Sequence, residues 1–469
     1  MAILNANFGL DAGDFDLYEI SHSATAPPQV LFNVVFDGRS YDDVLSITWD
    51  DGVTLHQSNF GGFGLVISGG AVTGGTTTAY WDSIWNGSSW QLSFSLQGAA
   101  VSAAGLFQAG TTQSVSDDYV LIQQALSGSD TINGSAFDDV LYGYNGNDRI
   151  FGGDGADSLF GGAGNDTLVG GLGNDTIDGS LGTDTADFSA ATSSLVLTLN
   201  GSTNALAKVG GVIEDIVRGV ENVIGGSAAD TLTGDGSANR LTGGNGNDQL
   251  RGGAGNDTLL GGGGADGLRG GLGNDVLDGG ADVDQADYSD KTASVEVALA
   301  GATNAIVEID GIGEDTIRNI ENVTGGLGGD VLRGDNFANR LSGGNGNDTL
   351  AGRGGSDTLV GGEGGDRFDF DSALLSAGID RIADFNPTDD TIRLENAVFT
   401  SLSSLGQLAE TAFRSNTTGL AQDSDDFLIY ETDTGKLFYD ANGNASGGAS
   451  QIAVLDKGLV LTNADFIVI

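Results

Sequence analysis

The 469-residue chain has no cysteine, three prolines, one methionine and two histidines. Without cysteine no disulfide can staple it, and thiol nucleophiles and thiolate metal sites are excluded. His22 and His56 stand in no HExxH arrangement, no GxSxG nucleophile elbow occurs, and no phosphate loop ends in Lys-Ser or Lys-Thr. Each histidine therefore reads as a packing or surface residue. Basic residues are scarce as well: 18 Lys and Arg face 65 Asp and Glu, for a net charge of −47. Such a chain repels nucleic acid and anionic membranes, and repels itself unless cations neutralise it. There is no apolar run of about 18 residues, so no membrane-spanning helix and no membrane insertion are expected. Residues 1 to 30 hold no Lys or Arg, and Asp11, Asp14, Asp16 and Glu19 interrupt any apolar core, so no signal peptide is expected there.

What the chain has in abundance is glycine, 80 residues of it, set in a nine-residue period. The cleanest run reads GGDGADSLF, GGAGNDTLV, GGLGNDTID from Gly152 to Asp178. Three frames carry the repeat, with starts at residues 125 to 179, 225 to 279 and 325 to 361, in seven, seven and five copies. Position six is aspartate except at Asn239 and Asn339, and position eight is a large apolar residue except at Ala186 and Ala286. A flexible glycine-rich linker would fix the phase of neither. The pattern is that of calcium-binding parallel β-helices, in which each repeat is one strand and one turn.

The spacing dictates a geometry. Glycines at positions one, two and four allow the positive backbone angles of a tight turn, and a three-residue strand turns its middle apolar side chain inward. Two repeats make an eighteen-residue coil, and coils stack at roughly 4.8 Å. Stacking then sets Asp148 over Asp166, Asp157 over Asp175, Asp248 over Asp266 and Asp257 over Asp275. At about 5 Å and an effective dielectric of about 20, each such pair costs on the order of 3 kcal/mol. The stack therefore needs a divalent cation. Calcium suits it, because Ca2+ accepts six to eight hard oxygens in flexible geometry, whereas magnesium demands a stricter octahedron.

The remaining segments divide around the repeats. Residues 1–124 lack the period and read as a small β-rich domain, with strands at 30–36, 44–49, 64–68 and 91–96. All four tryptophans, Trp49, Trp81, Trp85 and Trp90, fall there; they fill a β core or form a stacking platform for a glycan or other cell-surface ligand. A short amphipathic helix is expected over 117–126. Repeat blocks follow at 125–187, 225–287 and 325–370, parted by spacers at 188–224 and 288–324. The spacers repeat at an offset of 100 residues: Asp187-Phe188-Ser189 returns as Asp287-Tyr288-Ser289, and Glu221-Asn222-Val223 as Glu321-Asn322-Val323. Each is two coils plus one residue long, which fits either bulged, calcium-poor rungs or a protruding hairpin. Beyond these, 371–469 reads as a mixed, mostly β region with a helix over 402–411 and a hairpin of strands 426–432 and 436–443 across Asp433-Thr434-Gly435. DANGN at 440–444 lacks the glutamate of an EF-hand loop, Gln451 standing at position twelve, and reads as a plain loop.

These nonapeptides, the Glu-Asn-Val element before each block, DFNPTDDTIRLENAVF and the aliphatic tail after Asp465 resemble the RTX, or repeats-in-toxin, calcium-binding proteins of Gram-negative bacteria over residues 125–469. The resemblance implies an all-β fold: a parallel β-roll that binds several Ca2+ ions between turns two repeats apart. The implied carboxylate ligands are Asp148, Asp157, Asp166, Asp175, Asp248, Asp257, Asp266, Asp275, Asp348, Asp357 and Asp366. The implied carbonyl ligands come from Gly153, Gly155, Gly162, Gly164, Gly171, Gly173, Gly244, Gly246, Gly253, Gly255, Gly271, Gly273, Gly344 and Gly346. Asp130, Asp139, Asp184, Asp230, Asp284 and Asp330 match less well because their turns lose glycines, and Asn239 and Asn339 lack the charge. The resemblance further implies secretion through a type I exporter read from 371–469. No toxin, lipase or protease module accompanies residues 1–124, so a binding or adhesion protein at the cell surface or in a matrix is expected. An enzyme with an unrecognised site in 1–124 and a self-assembling surface-layer component are the alternatives.

Overall fold

The computed structural model describes residues 127–134, 136, 138–372, 378–443 and 448–469, together with the backbone of strands at 3–6, 29–36, 39–50, 55–68, 71–85 and 90–102. His22 and the helix expected over 117–126 lie outside the described residues, as do the side chains of His56 and the four tryptophans. The chain divides into two compact units, Met1–Ser227 and Ala228–Ile469.

In the first unit, strands Gln29–Phe36, Arg39–Asp50, Leu55–Ser68, Ala71–Trp85 and Trp90–Ser102 form an antiparallel meander. All four segments expected from the sequence fall within it; Ala71–Trp85 was hidden by the threonines and glycines that interrupt its alternation. Ile3–Ala6 pairs antiparallel with the last of these strands and parallel with Thr131–Asn133, the first strand of the repeats.

The repeats wind as the eighteen-residue coil requires. Leu141, Leu159 and Ile177 stack on one side, and Ile132, Ile150, Leu168 and Ala186 on the other, each in parallel register with the residue eighteen positions on. Each is fully buried, and burying a leucine or isoleucine contributes about 1.5–3 kcal/mol. One apolar residue per nine suffices because the two facing ladders meet in the middle of a thin solenoid. The strands run six residues, as in Ser158–Ala163, rather than the expected three, because positions one to three of the next repeat remain extended enough to pair.

The spacers are neither simple rungs nor protruding hairpins. In the second unit Val276–Ala281 pairs in parallel with Ile312–Arg318, which pairs antiparallel with Ala305–Ile309, which pairs antiparallel with Val295–Ala298. Val295–Ala298 then pairs in parallel with Val331–Arg333, the next repeat strand. The meander is thus spliced into one sheet of the roll, with its bulge between Val307 and Glu308. The opposite sheet passes directly from Gln285–Asp287 to Asn322–Thr324 to Arg340–Asn345. In the first unit the same meander runs through Leu195–Thr198, Ala205–Val209 and Val212–Arg218, the last pairing with Thr176–Asp178.

The C-terminal region continues the roll. Arg367–Phe370 is followed by Thr391–Leu394 and then by Phe466–Val468, all parallel. Leu428–Glu431 and Lys436–Asp440 form the expected hairpin. The helix expected over 402–411 does not form. That stretch holds the two-residue strand Gly406–Gln407, paired with Phe466–Val468, and a single 3-10 turn at Glu410–Ala412. Gly406, at φ +99°, breaks the helical path in its middle.

Candidate metal centre

The position-six aspartates form ladders along both edges of the roll. The Asp148 N–H donates to Asp166 Oδ1, and the Asp166 N–H to Asp184 Oδ1, each at 2.8 Å. On the other edge Asp139 donates to Asp157 and Asp157 to Asp175, again at 2.8 Å. The second unit repeats the scheme through Asp248, Asp266 and Asp284 and through Asn239, Asp257 and Asp275, and the third block through Asp330, Asp348 and Asp366 and through Asn339 and Asp357. Within a block the aspartate carbonyl accepts from the residue nineteen positions on, as Asp148 O does from Thr167, and at a block's end from one further along, as Asp175 O does from Ile216. The stacking derived from the period is therefore the stacking in the fold.

One carboxylate oxygen is left over. Oδ2 of Asp148, Asp157, Asp166, Asp175, Asp248, Asp257, Asp266, Asp275, Asp348, Asp357 and Asp366 is buried without a hydrogen-bond partner, and so is Oδ2 of Asp184 and Asp284. All eleven aspartates selected from the motif share this feature, and two of the poorer matches join them. Oδ2 of Asp148, Asp157, Asp166, Asp184, Asp248, Asp257, Asp266 and Asp348 faces a glycine carbonyl across a space that only glycine leaves open, and Oδ2 of Asp284 faces the Asn319 carbonyl. A Cβ on Gly152 would stand 2.3 Å from Asp157 Oδ2 and 2.4 Å from the Gly170 oxygen, and one on Gly261 2.2 Å from Asp266 Oδ2 and 2.4 Å from the Gly279 oxygen. Position-one glycines therefore serve space rather than the positive φ expected of them, since their φ lies outside the left-handed region. The expected positive angles belong to positions two and four: the carbonyl-bearing glycines from Gly153 to Gly346 named above run from φ +106° to +139°. Where another residue takes such a position, as Ser180 and Arg353 do, φ falls to +74° and +69°, a region costly for side chains.

Burial dominates the electrostatics. It pushes Asp148, Asp248 and Asp348 up to about 7, against the lowering effect of the accepted backbone bond, and the carboxylates next along the ladder add to the rise. Asp157 and Asp257 are raised to about 6 by the same causes, and Asp166, Asp175, Asp266, Asp275 and Asp366 shift in the same direction. Among the described residues no three acidic or histidine side chains converge on one point. A cation in these turns must take most of its oxygens from carbonyls. Hard, orphaned, buried carboxylate oxygens beside clustered glycine carbonyls fit Ca2+, which tolerates many oxygen ligands in loose geometry.

Other turns close on themselves. Asn239 Oδ1 accepts from the Asp235 N–H and Asn339 Oδ1 from the Asp335 N–H, at 2.8 and 2.9 Å. Asp330 spends one oxygen on the Gly326 N–H and the other on the Val295 N–H. The doubtful asparagine positions are thus turns sealed by the chain. The ladders also reach residues that the motif could not name. Asp175 donates to Asp215 and Asp275 to Asp315, Asp184 to Glu221 and Asp284 to Glu321, Asp357 to Asp380 and Asp366 to Asp390. For Asp215, Glu221, Asp315 and Glu321 the only signal was the spacer repeat, in which Glu221-Asn222-Val223 and Glu321-Asn322-Val323 stood out without a role; Asp380 and Asp390 lie outside it.

Comparison with curated proteins gives no match. Among solved structures, the extracellular lipase LipA from Serratia marcescens aligns at 13% identity over 94% of this chain and 85% of the lipase, with a TM-score of 0.17; at that score the likeness says nothing of this chain's chemistry. The family model described as the RTX calcium-binding nonapeptide repeat matches residues 125–159, 151–186, 224–259, 251–286, 324–359 and 333–368. The chain is therefore built around three blocks of RTX nonapeptide repeats, which bind Ca2+ at multiple sites.

Proposed function

We propose that this is a secreted protein whose roll folds on meeting extracellular calcium, with the open turns of all three blocks as the binding sites. The observation that carries the reading is the row of buried, unpartnered Oδ2 atoms, eight of them beside a glycine carbonyl. The eleven aspartates from Asp148 to Asp366 supply the charge, joined by Asp184 and Asp284, and the glycines from Gly153 to Gly346 supply carbonyls. Calcium bound there would neutralise the ladders and tie successive coils together; the chain itself positions the oxygens and keeps water out of the apolar seam. Without the ion the orphaned carboxylates oppose folding, and one apolar residue in nine cannot overcome them. Circular dichroism of the whole chain tests this: β signal is expected in millimolar calcium and its loss in excess chelator at pH 8, and an unchanged signal in chelator would overturn the reading.

The role served by that folding is adhesion or binding at the surface or in the matrix of a Gram-negative bacterium, after export by a type I exporter. A non-catalytic role follows from the missing nucleophile, zinc and phosphate motifs. The broad antiparallel meander of residues 29–102 supports a binding module, since such a sheet offers an extended face for a glycan or surface ligand. Among the described residues no helix is long and apolar enough to cross a membrane. A glycan array and cell-surface binding assay of the whole protein, with and without chelator, would reveal the ligand.

A further inference from the structure

Three neighbouring parallel strands of the second unit, Val295–Ala298, Val331–Arg333 and Thr349–Ala351, end on the same edge of the roll. Between the turns that follow them, at residues 299–302, 335–337 and 353, lies a cleft of about 330 Å³. The middle turn is one of those closed by the chain: Asn339 Oδ1 accepts from the Asp335 N–H, and Asp335 Oδ1 accepts from the Phe337 N–H at 2.8 Å. The shape of that turn therefore needs no ion, and it holds the backbone of Phe337 in place.

The cleft gathers side chains that the roll has no use for. Phe337 is 65% exposed, and among the described residues no other aromatic side chain is exposed. A Cβ on Gly301 would stand 3.6 Å from Asp335 Oδ2 and 3.7 Å from Phe337 Cε2, so the second carboxylate oxygen and the ring edge flank the same glycine. Arg353 lines the opposite wall with its backbone at φ +69°, a region in which only glycine sits without cost. Its half-buried guanidinium makes one long hydrogen bond, 3.5 Å to the Gly334 carbonyl. One hundred residues earlier Ser237 stands for Phe337, Gly236 for Asn336 and Gly253 for Arg353, while Asp235 is kept. That turn closes in the same way, with Asn239 Oδ1 accepting from Asp235 and Asp235 Oδ1 from Ser237. The backbone thus requires neither the phenylalanine nor the arginine.

An aromatic face, a carboxylate, an amide and a guanidinium around one cleft match a ligand that is apolar on one side and rimmed by hydroxyls that both donate and accept. The cleft lies near the lower end of small-molecule sites, about 300–1,000 Å³, which suits a single sugar ring. An anion is opposed by the chain's net charge of −47 and a cation by Arg353. We propose that this cleft binds a neutral pyranose sugar, its C–H face against Phe337, its hydroxyls donating to Asp335 and accepting from Arg353 and Asn336. The site belongs to the second unit and is independent of any ligand taken by the meander of residues 29–102.

The test uses the full-length protein folded in calcium. It is titrated with β-glucan, α-glucan, mannan and galactan hexasaccharides, and with a hyaluronan hexasaccharide as the acidic comparison, by saturation-transfer NMR and calorimetry. At least one neutral sugar should saturate the wild type. F337S and R353G copy the earlier turn, so circular dichroism and the calcium count should stay unchanged while affinity falls about tenfold, the loss expected for one aromatic face or one charged donor. F337W keeps the ring face and should retain binding; should R353G fold poorly, F337S and F337W decide. Binding unaltered in F337S and R353G would put the sugar elsewhere and overturn the proposal, as would a wild type that takes none of the neutral sugars. Preference for the hyaluronan fragment, lost in R353G, would overturn the neutral class.

Discussion

Asp166 and Asn239 occupy the same motif position and do opposite things with it. Asp166 Oδ1 holds the Asp148 N–H while Oδ2 stays open, whereas Asn239 closes its own turn through the Asp235 N–H. Asp166→Ala is expected to remove bound calcium, to strand the buried Asp148 N–H at a cost of about 1–3 kcal/mol, and to lower the melting temperature in calcium. Asn239→Ala should leave the calcium count alone. Equal calcium losses by calorimetry would count against the division into open and self-closed turns. The aspartates and the turn glycines were legible because motif phase alone selects them. Asp215, Glu221, Asp315 and Glu321 were not, since their place in the ladders is set by pairing 37 or 40 residues away across the spacers.

Protonation belongs to this scale as well. Asp148, Asp184, Asp248, Asp284 and Asp348 are raised to about 7 from an ordinary value of 3.8. A carboxyl raised by folding favours the fold below its unfolded value, and that contribution is lost as pH climbs through the folded one. The calcium-free roll should therefore gain β structure on acidification from pH 8 to pH 5. In calcium the sign reverses, because protons compete with the ion for the same oxygens, and the calcium midpoint should rise as pH falls below about 7. Chelator-treated protein with no more β signal at pH 5 than at pH 8 would contradict the first half, and a pH-independent midpoint the second.

At the scale of elements, the strand Phe466–Val468 shows how the roll is finished. It pairs with Thr391–Leu394 on one side and Gly406–Gln407 on the other, and Phe466 is fully buried with its ring 5.0 Å from that of Phe413. Thr462 and Asp465 form a capping box that fixes the turn into it. Phe466→Ala should cost about 3–5 kcal/mol locally, seen as a lower melting temperature of the C-terminal region with the ion count unchanged. The nonapeptide strands and the 428–440 hairpin were legible from period and turn chemistry. The spacer meander was not, because alternation in 194–200 announces a strand but not the sheet that takes it. The absent helix at 402–411 reflects the same limit: local propensity yields to pairing with a strand some sixty residues away.

On the type I export proposed above, the −47 charge and the calcium ladders have consequences for the whole molecule. A type I channel passes an unfolded chain, and cytosolic calcium lies far below the roughly 10⁻⁴ to 10⁻³ M dissociation constants typical of extracellular calcium modules. Inside the cell the ladders would remain charged and the chain extended, with Phe466–Val468 undocked and available to an exporter. Outside, a C-terminus that emerges first lets the third block bind calcium before the blocks behind it. The chain-closed turns of that block, at Asp330 and Asn339, need no ion and give it a ready starting point. A site at 100 times its dissociation constant stabilises the fold by about 2.7 kcal/mol, so several in series would oppose sliding back into the channel. The expectation is that residues 371–469 are required for export and residues 1–124 are passenger. Removing the last sixty or so residues takes away the hairpin and the docked tail together. In a strain with a matching exporter this truncation should abolish protein in the medium, while removal of residues 1–124 should not. Undiminished secretion of the truncated chain would refute the role given to the tail.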